Sequence, residues 1–179
     1  MALFDDESGI NKSKESEKVI QALNILESTA ISDKDPLARK YALYMLGTSG
    51  DPSYTDIFIQ SFCDPEKAVR GQAVLALVRI GTPSIPKVIP LLKNKDWKVR
   101  YRAAEVLGLL KCRDAVQPLI ESLTDEKDHV RYMAAKSLGL IMDPAALEPL
   151  RNCRTDENPY VRKMVGRVII EIEGENVSN

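Results

Sequence analysis

Residues 99–108 read VRYRAAEVLG, and this stretch predicts the fold because its pattern recurs along the chain. Its apolar side chains Val99, Ala103, Val106 and Leu107 have the spacing of one helix face, and Leu110 continues the series. The stretch is therefore expected to form an amphipathic helix that packs against other helices.

An arginine marks each copy of the pattern. Three residues after each arginine stands a small apolar residue, and seven residues after it stands Leu or Ile. The arginines are Arg39, Arg70, Arg100, Arg131 and Arg162, with spacings of 31, 30, 31 and 31 residues. The small residues are Ala42, Ala73, Ala103, Ala134 and Val165, and the larger ones are Leu46, Leu77, Leu107, Leu138 and Ile169. A fixed period with this much agreement indicates stacked structural repeats.

Each repeat divides into two helices. Helix A carries the arginine and ends at a short break such as residues 50–52, after which a second apolar segment, helix B, follows. Pro90, Pro118 and Pro149 are expected in one row near the start of helix B, where a missing N–H costs little. Two helices cannot bury their apolar faces alone. The sequence thus predicts an all-α, right-handed α-α superhelix of about five stacked helix hairpins and about ten helices.

The predicted organisation is one repeat array between two tails. Residues 1–16 are expected to be a flexible acidic tail and residues 173–179 a flexible C-terminal tail, with the array at 17–172. A helix at 17–27, with Val19, Ile20, Leu23 and Leu26 inward, is expected to cover the N-terminal end. The repeats are assigned to 33–63, 64–93, 94–124 and 125–154, with a terminal half-repeat at 155–172.

A row of small residues also recurs eight positions after the arginines. Gly47, Gly108 and Gly139 occupy it, whereas Val78 and Ile170 replace glycine in the other two copies. Glycine in this row suits close helix packing or helix termination.

The motif D-x-x-x-x-V-R-x-x-A-A-x-x-L-G, followed by a proline-containing apolar helix, resembles the HEAT repeat. The closest likeness is to the short variety named after phycobilisome lyases, and it covers about residues 33–172. The resemblance implies an armadillo-like α-solenoid. It implies little about function, since these repeats serve scaffolds, chromophore lyase subunits, a metal hydroxylase and DNA-binding proteins.

A second row of polar residues stands six positions before each arginine. Carboxylates at the turns between repeats can accept from exposed N–H groups or from an arginine of the same or adjacent repeat. The row comprises Asp33, Asp64, Asn94, Asp125 and Asp156. A structural ladder of Asp and Arg is predicted, with an anion-binding track of arginines as the alternative. Because Asn94 breaks the charge of one rung, Arg100 is expected to be freer than its equivalents.

Composition excludes several classes of protein. The 25 Lys and Arg residues nearly balance the 26 Asp and Glu residues, whereas a general polyanion binder would be more basic. No apolar run reaches the length of about 18 residues that a membrane span needs. Cys63, Cys112 and Cys153 form no CxxC pair, which argues against disulfide and zinc frameworks alike. A cytoplasmic protein without membrane partners is expected, and a monomer is favoured.

Candidate catalytic groups are few. His129 is the single histidine, so the repeated His-Glu pairs that the metal hydroxylase resemblance would require are absent, and His129 is expected to be a solvated surface residue. Cys112 lies between Lys111 and Arg113, whose charges could activate a thiol, but no histidine stands beside it. We expect no enzyme activity, no catalytic or metal site and no cofactor.

Two surfaces are candidates for partner binding. In such solenoids the B helices line the concave face, and the residues expected to point outward there are Asp56, Gln60, Ile89, Lys93, Gln117, Glu121, Glu148 and Asn152. A possible outer patch on the A helices comprises Trp97, Tyr101, Arg102 and Tyr132. It lies partly within residues 87–113, which hold eight basic and two acidic residues.

The predicted function is a non-catalytic protein–protein interaction scaffold or adaptor that binds a protein or peptide partner. Two alternatives stay open: a chromophore-lyase-like or enzyme-associated accessory subunit, and weak nucleic-acid binding through the basic centre at 87–113. Nucleic acid is the less expected partner, because the chain as a whole carries a net charge of −1.

Overall fold

The computed structural model describes residues 7–177, and the surroundings of the side chains for residues 16–174. This part of the chain consists of α-helices, 3₁₀ turns and short connections, without a strand. Its α-helices are α1 (Glu7–Ser32), α2 (Pro36–Thr48), α3 (Thr55–Gln60), α4 (Lys67–Ile80), α5 (Ile85–Val88), α6 (Trp97–Leu109), α7 (Val116–Glu121), α8 (Asp128–Ile141), α9 (Leu147–Asn152) and α10 (Pro159–Val177). The A helices are α2, α4, α6, α8 and α10, and the prediction of an all-α solenoid with about ten helices is confirmed.

The B helices α3, α5, α7 and α9 are short and continue into 3₁₀ turns at both ends. Pro118 and Pro149 lie two residues inside α7 and α9, where their missing N–H groups cost little. Pro90 instead lies in the 3₁₀ turn Ile89–Lys93 that follows α5. The prediction of a single proline row is therefore wrong for Pro90. Its ring is incompatible with a continuing α-helix, which accounts for the single turn of α5.

Each of the first four A helices is followed by a residue with positive φ at the hairpin reversal. The values are 66° at Gly50, 77° at Gly81, 50° at Lys111 and 62° at Met142. Glycine adopts this region without strain, whereas Lys111 and Met142 are held there by the turn. The reversal thus requires a left-handed residue even where the sequence offers no glycine.

The inner faces of the A helices form the core. The residue seven positions after each arginine is at most 1% exposed, as the periodicity predicts. These residues are Leu46, Leu77, Leu107, Leu138 and Ile169. The core cluster runs from Ala30 at the end of α1 to Ile172 in α10, so burial is shared by consecutive repeats.

The glycine row serves close packing rather than helix termination, because Gly108 and Gly139 lie inside α6 and α8. A Cβ atom on Gly108 would come within 2.8 Å of the Cα atom of Ser137 in α8. Ser137 is fully buried and donates a 2.7 Å hydrogen bond to the carbonyl oxygen of Ala104 in α6. Glycine therefore lets two neighbouring A helices approach closely enough for this side-chain-to-backbone bond.

The junction between α4 and α6 has no glycine at this position. Val78 occupies the glycine position in α4, and the spacing from Arg70 to Arg100 is the one 30-residue interval. The α4 and α6 helices pack less extensively than the pairs α2 and α4, α6 and α8, and α8 and α10. A larger side chain at the crossing keeps two helices further apart. We name this junction the α4–α6 joint.

Both ends of the array differ from prediction. The first helix begins at Glu7 instead of residue 17, so residues 7–16 are helical, and residues 1–6 lie outside the described part. Val19 and Ile20 are each 58% exposed, so the prediction that they point inward is wrong. The reason is length: α1 has 26 residues and α2 only 13, so α1 packs through its C-terminal half, where Leu23 and Leu26 are half-buried. At the other end, α10 continues to Val177, and residues 178–179 are not described.

Among the described residues, no single helix is long and apolar enough to cross a membrane. One bent pair, Lys67–Ile80 with Thr82–Lys93, passes that test by length and composition alone.

Candidate functional site: the arginine ladder and two grooves

Three arginines of the row bind the aspartate of the following repeat in the same geometry. Nε and Nη2 donate to the two carboxylate oxygens, and the Nε–Oδ2 distance is 2.7 Å in each pair. The pairs are Arg39–Asp64, Arg100–Asp125 and Arg131–Asp156, and every side chain in them is at most 10% exposed. The third nitrogen, Nη1, donates to the backbone carbonyl six residues earlier. Each guanidinium thus ties its own repeat turn to the next one.

The pairing stabilises both charged forms. The hydrogen bond from Arg131 holds the pKa of Asp156 below its ordinary value, against the opposing effect of burial. The hydrogen bond to Asp156 in turn raises the pKa of Arg131. Bidentate pairs of this kind are stronger than neutral hydrogen bonds and restrict geometry as well. These rungs therefore carry structure, and all three nitrogens of each guanidinium are already hydrogen-bonded.

The internal arginine of the row that lacks a carboxylate partner within residues 16–174 is Arg70, whereas the sequence pattern predicted Arg100. The three filled rungs join an arginine to a carboxylate 25 residues later, so Arg100 binds Asp125, whereas the corresponding rung position for Arg70 holds Asn94, 24 residues later. The prediction that Arg100 is freer is therefore wrong, and Arg70 is the arginine affected. Its Nη1 donates to the carbonyl oxygens of Asp64 at 2.6 Å and Pro65 at 2.8 Å. Within residues 16–174, no carboxylate oxygen lies within 4.0 Å of the Arg70 guanidinium.

A groove of about 410 Å³ runs along the N-terminal ends of α6, α8 and α10. We name it the tyrosine groove, and its lining residues are Tyr101, Asp128, His129, Tyr132, Asn158, Tyr160 and Val161. Asp128 organises its polar side: it is 2.7 Å from Nδ1 of His129 and accepts a hydrogen bond from the Asn158 amide. Tyr160 is 73% exposed, whereas Tyr132 is half-buried and packs against the core.

A second groove of about 170 Å³ adjoins the first at the α4–α6 joint. We name it the basic groove, and its lining residues are Lys67, Arg70, Trp97, Lys98, Tyr101, Arg102 and His129. The Trp97 and His129 rings lie 5.3 Å apart, and the Arg102 guanidinium lies 5.0 Å from the Tyr101 ring centroid. Tyr101 and His129 line both grooves, which makes the two a continuous surface.

All four residues of the outer patch lie in these grooves, where each is half-buried: Trp97, Tyr101, Arg102 and Tyr132. Tyr160, Lys67 and Arg70 were not predicted to belong to this surface. His129 is exposed, as expected, but it also lines both grooves. The positions two residues before the arginines would have indicated this surface, because three of them hold Lys98, His129 and Tyr160.

The B-helix row is solvent-facing and internally paired. Its eight residues, Asp56, Gln60, Ile89, Lys93, Gln117, Glu121, Glu148 and Asn152, are exposed except for Ile89, which is half-buried. Charges of neighbouring repeats meet there: Lys87 lies 2.7 Å from Asp56, and Lys93 lies 3.2 Å from Glu121. Arg151 binds Glu148 in its own helix and Glu173 of α10. Whether this row binds a partner stays a prediction.

Burial and neighbouring charges limit the reactivity of the cysteines. Cys112 is only 5% exposed, which closes its thiol to a substrate. Desolvation raises the pKa of Cys63 and of Cys153, and nearby carboxylates add to the effect. Across residues 16–174, no three His, Cys, Asp or Glu side chains are placed together to hold a metal ion.

Comparison with known proteins agrees with the repeat architecture. Human deoxyhypusine hydroxylase in complex with glycerol is similar at 22% identity, over 96% of this chain and 82% of that chain, with a TM-score of 0.53. An engineered protein is similar at 20% identity, over 88% of this chain and 84% of that chain, with a TM-score of 0.54. At these identities the likeness shows the fold alone, and no curated protein matches the sequence.

The family profile described as HEAT repeats matches residues 23–94 and 85–170. The match does not separate the short phycobilisome-lyase variety from other HEAT repeats. Since the two matched segments together cover most of the sequence, the chain belongs to the HEAT-repeat family.

Proposed function

We propose that this chain is a non-catalytic scaffold that binds a protein or peptide partner, and that the partner docks in the tyrosine groove. HEAT repeats generally serve as interaction scaffolds, and their stacked helices offer extended surfaces. The observation that carries the proposal is the tyrosine groove itself, in which Tyr101, Tyr132 and Tyr160 line one cleft across three repeats.

Tyrosine is well suited to this role. Residues that dominate binding energy at interfaces are enriched in Tyr, Trp and Arg, and they cluster in pockets that exclude water when filled. A tyrosine side chain has few rotatable bonds, so ordering it on binding costs little entropy. A groove of about 410 Å³ is within the range of sites that take a small ligand or a few side chains.

The B-helix row is the weaker candidate surface. Several of its charged residues already have partners in neighbouring repeats, and no aromatic residue stands in it. A partner there would have to compete with ion pairs and would gain little apolar burial. The tyrosine groove offers exposed aromatic surface without that competition.

Nucleic-acid binding through residues 87–113 is also weakened by the structure. Of the eight cations in that segment, Lys87, Lys93, Arg100 and Arg102 are bound to carboxylates. Cations that are already neutralised release few counterions on binding a phosphate backbone. The chromophore-lyase and enzyme-accessory alternatives gain no support from the arrangement of the described side chains.

Site-specific photocrosslinking in the native host tests the proposal. Benzoylphenylalanine at position 160, in the tyrosine groove, should capture a specific protein, and Tyr132→Ala in the same chain should remove that product. The matched control places the crosslinker at position 117, where Gln117 is exposed on the B-helix row. Capture of the same protein from position 117 but not from 160 would overturn the groove assignment. Turnover of a substrate by the purified chain would overturn the scaffold function.

A further inference from the structure

The strongest additional feature is the unfilled rung at Arg70. Arg39, Arg100 and Arg131 each use Nε and Nη2 to bind a carboxylate of the next repeat. Arg70 has the same backbone setting, and its Nη1 likewise donates to the carbonyl oxygen six residues earlier. No hydrogen bond joins its Nε or Nη2 to a side chain within residues 16–174, and the rung position that would supply the acid holds Asn94.

Asn94 occupies the rung position in the turn but lacks the negative charge of an aspartate. Its Oδ1 accepts a 2.9 Å hydrogen bond from the Asp96 N–H. The carboxylate of Asp125 accepts the equivalent bond from the Lys127 N–H at 2.9 Å. The side chain at position 94 thus has the local geometry of a rung residue. No buried side-chain nitrogen in residues 16–174 lacks a hydrogen-bond partner, so the free edge of Arg70 is reached by solvent.

The charged side chains that line the basic groove with Arg70 are all cations or histidine. Lys67, Lys98 and Arg102 line the basic groove with it, and no acidic residue does. Arg102 is neutralised by Glu105 at 2.5 Å, whereas Lys67 and Lys98 form no ion pair within residues 16–174. Nearby cations that nothing balances make it favourable to bring a negative charge to this groove.

The groove also has an apolar wall. The Trp97 ring, packed against His129, lies beside the cations at the start of α6, and Tyr101 follows one turn later. An apolar side chain next to a carboxylate would bury surface against Trp97 while the carboxylate reaches Arg70. Planar guanidinium and carboxylate groups match in the two-bond geometry that the three filled rungs show.

We propose that the basic groove binds an acidic side chain of the protein partner, and that this carboxylate pairs with Arg70 in place of the acid that position 94 does not supply. The inference rests on the proposed scaffold function and adds the chemistry of the partner: a segment with Asp or Glu next to an apolar residue. The basic groove lies at the α4–α6 joint, where the two A helices pack less extensively than the other A-helix pairs.

The test uses a variant in which the chain itself provides a carboxylate for Arg70. Asn94→Asp should form the internal rung, raise the melting temperature by a few degrees, and remove the site for an external acid. The probe is a capped peptide of alternating leucine and glutamate, and its control has glutamine in place of glutamate. The readout is the NMR resonance of the Arg70 Nε–H group during titration. We expect a shift with the glutamate peptide, binding at least about tenfold weaker for the glutamine peptide, and none with Asn94→Asp.

Three results would overturn the inference. They are equal binding of the two peptides, unchanged binding after Asn94→Asp, and tighter binding of single-stranded DNA than of the glutamate peptide at the same ionic strength. Arg70→Gln gives a second check, since it should remove peptide binding without requiring a new rung to form. If crosslinking from position 160 persists in Asn94→Asp while peptide binding is also unchanged, the partner chemistry is wrong and the scaffold function stands. If peptide binding behaves as expected but position 160 captures nothing, the scaffold docking site is wrong instead.

Discussion

Replacing Arg131 by alanine removes one complete rung of the ladder. The guanidinium donates to Asp156 at 2.7 and 3.0 Å, to the carbonyl oxygen of Asp125 at 2.8 Å and to Glu157 at 3.1 Å. The Glu157 side chain is exposed, so its bond contributes little in water. The main cost comes from Asp156, which is buried and would keep its charge without its partner.

The expected loss is about 3 kcal/mol, the lower end of the range for breaking a buried ion pair by removing one partner. In a chain of this length, each kcal/mol lowers the melting temperature by roughly 2–4 °C, so Arg131→Ala should lower it by about 6–12 °C. Thermal unfolding followed by circular dichroism at neutral pH measures the change. The lost donors to Asp156, rather than lost packing, account for it.

Arg162→Ala is the matched control. Arg162 occupies the same row, and its Nη1 donates to the carbonyl oxygens of Asp156 at 2.6 Å and Glu157 at 3.0 Å. It is the last arginine of the row and binds no carboxylate among the described residues, so its loss should cost less than about 1 kcal/mol. Equal shifts for the two variants, or no shift for Arg131→Ala, would refute the assignment of stability to the rungs.

Two further predictions concern acid and helix packing. The pKa of Asp156 is lowered in the folded chain by the hydrogen bond from Arg131, so the stability from this pair is present above the unfolded value of about 3.9 and is lost as the pH falls through the lower folded value. The melting temperatures of wild type and Arg131→Ala should therefore converge below about pH 4, and a gap that persists in strong acid would contradict this. Gly108→Ala should destabilise the fold by about 1–3 kcal/mol, because its Cβ would lie 2.8 Å from the Cα atom of Ser137. Gly71→Ala, whose Cβ would meet nothing within 4 Å in α4, should be neutral or stabilising by up to about 1 kcal/mol, and equal effects of the two variants in chemical denaturation would count against close packing.

The fold was predictable because the same positions must be buried in every repeat, so each structural constraint appears several times in the sequence. A row such as Leu77, Leu107 and Leu138 must point inward in every copy, so independent positions support one interpretation. The ends of the array had no such support. The helix α1 has no counterpart in the repeat, and Val19 and Ile20 show the spacing of a buried face although α2 is too short to cover them.

The direction of the ladder could not be read from spacing alone. An arginine six residues after an aspartate can pair within its own repeat, with the preceding one or with the following one, and the choice depends on how repeats stack. The structure selects the following repeat, as Arg100 and Asp125 show. If the direction is assigned wrongly, the rung without a carboxylate is assigned to Arg100 instead of Arg70. Arg70 is then not recognised as a cation that lines the basic groove without a carboxylate partner in the described residues.

The departures from the repeat pattern explain why the grooves lie where they do. The shortened spacing, Val78 in the glycine row and Asn94 in the acidic row are three separate changes, and each alone would be an ordinary surface variation. All three fall on the α4–α6 joint, which is also where the helices pack least and the basic groove opens. A sequence whose local features agree along most of an array specifies its fold firmly, so several departures at one internal junction make that junction the candidate functional surface. Elsewhere regular rungs such as Arg131 with Asp156 tie each repeat to the next, whereas at the α4–α6 joint Arg70 forms no such rung within residues 16–174 and lines the basic groove with Trp97.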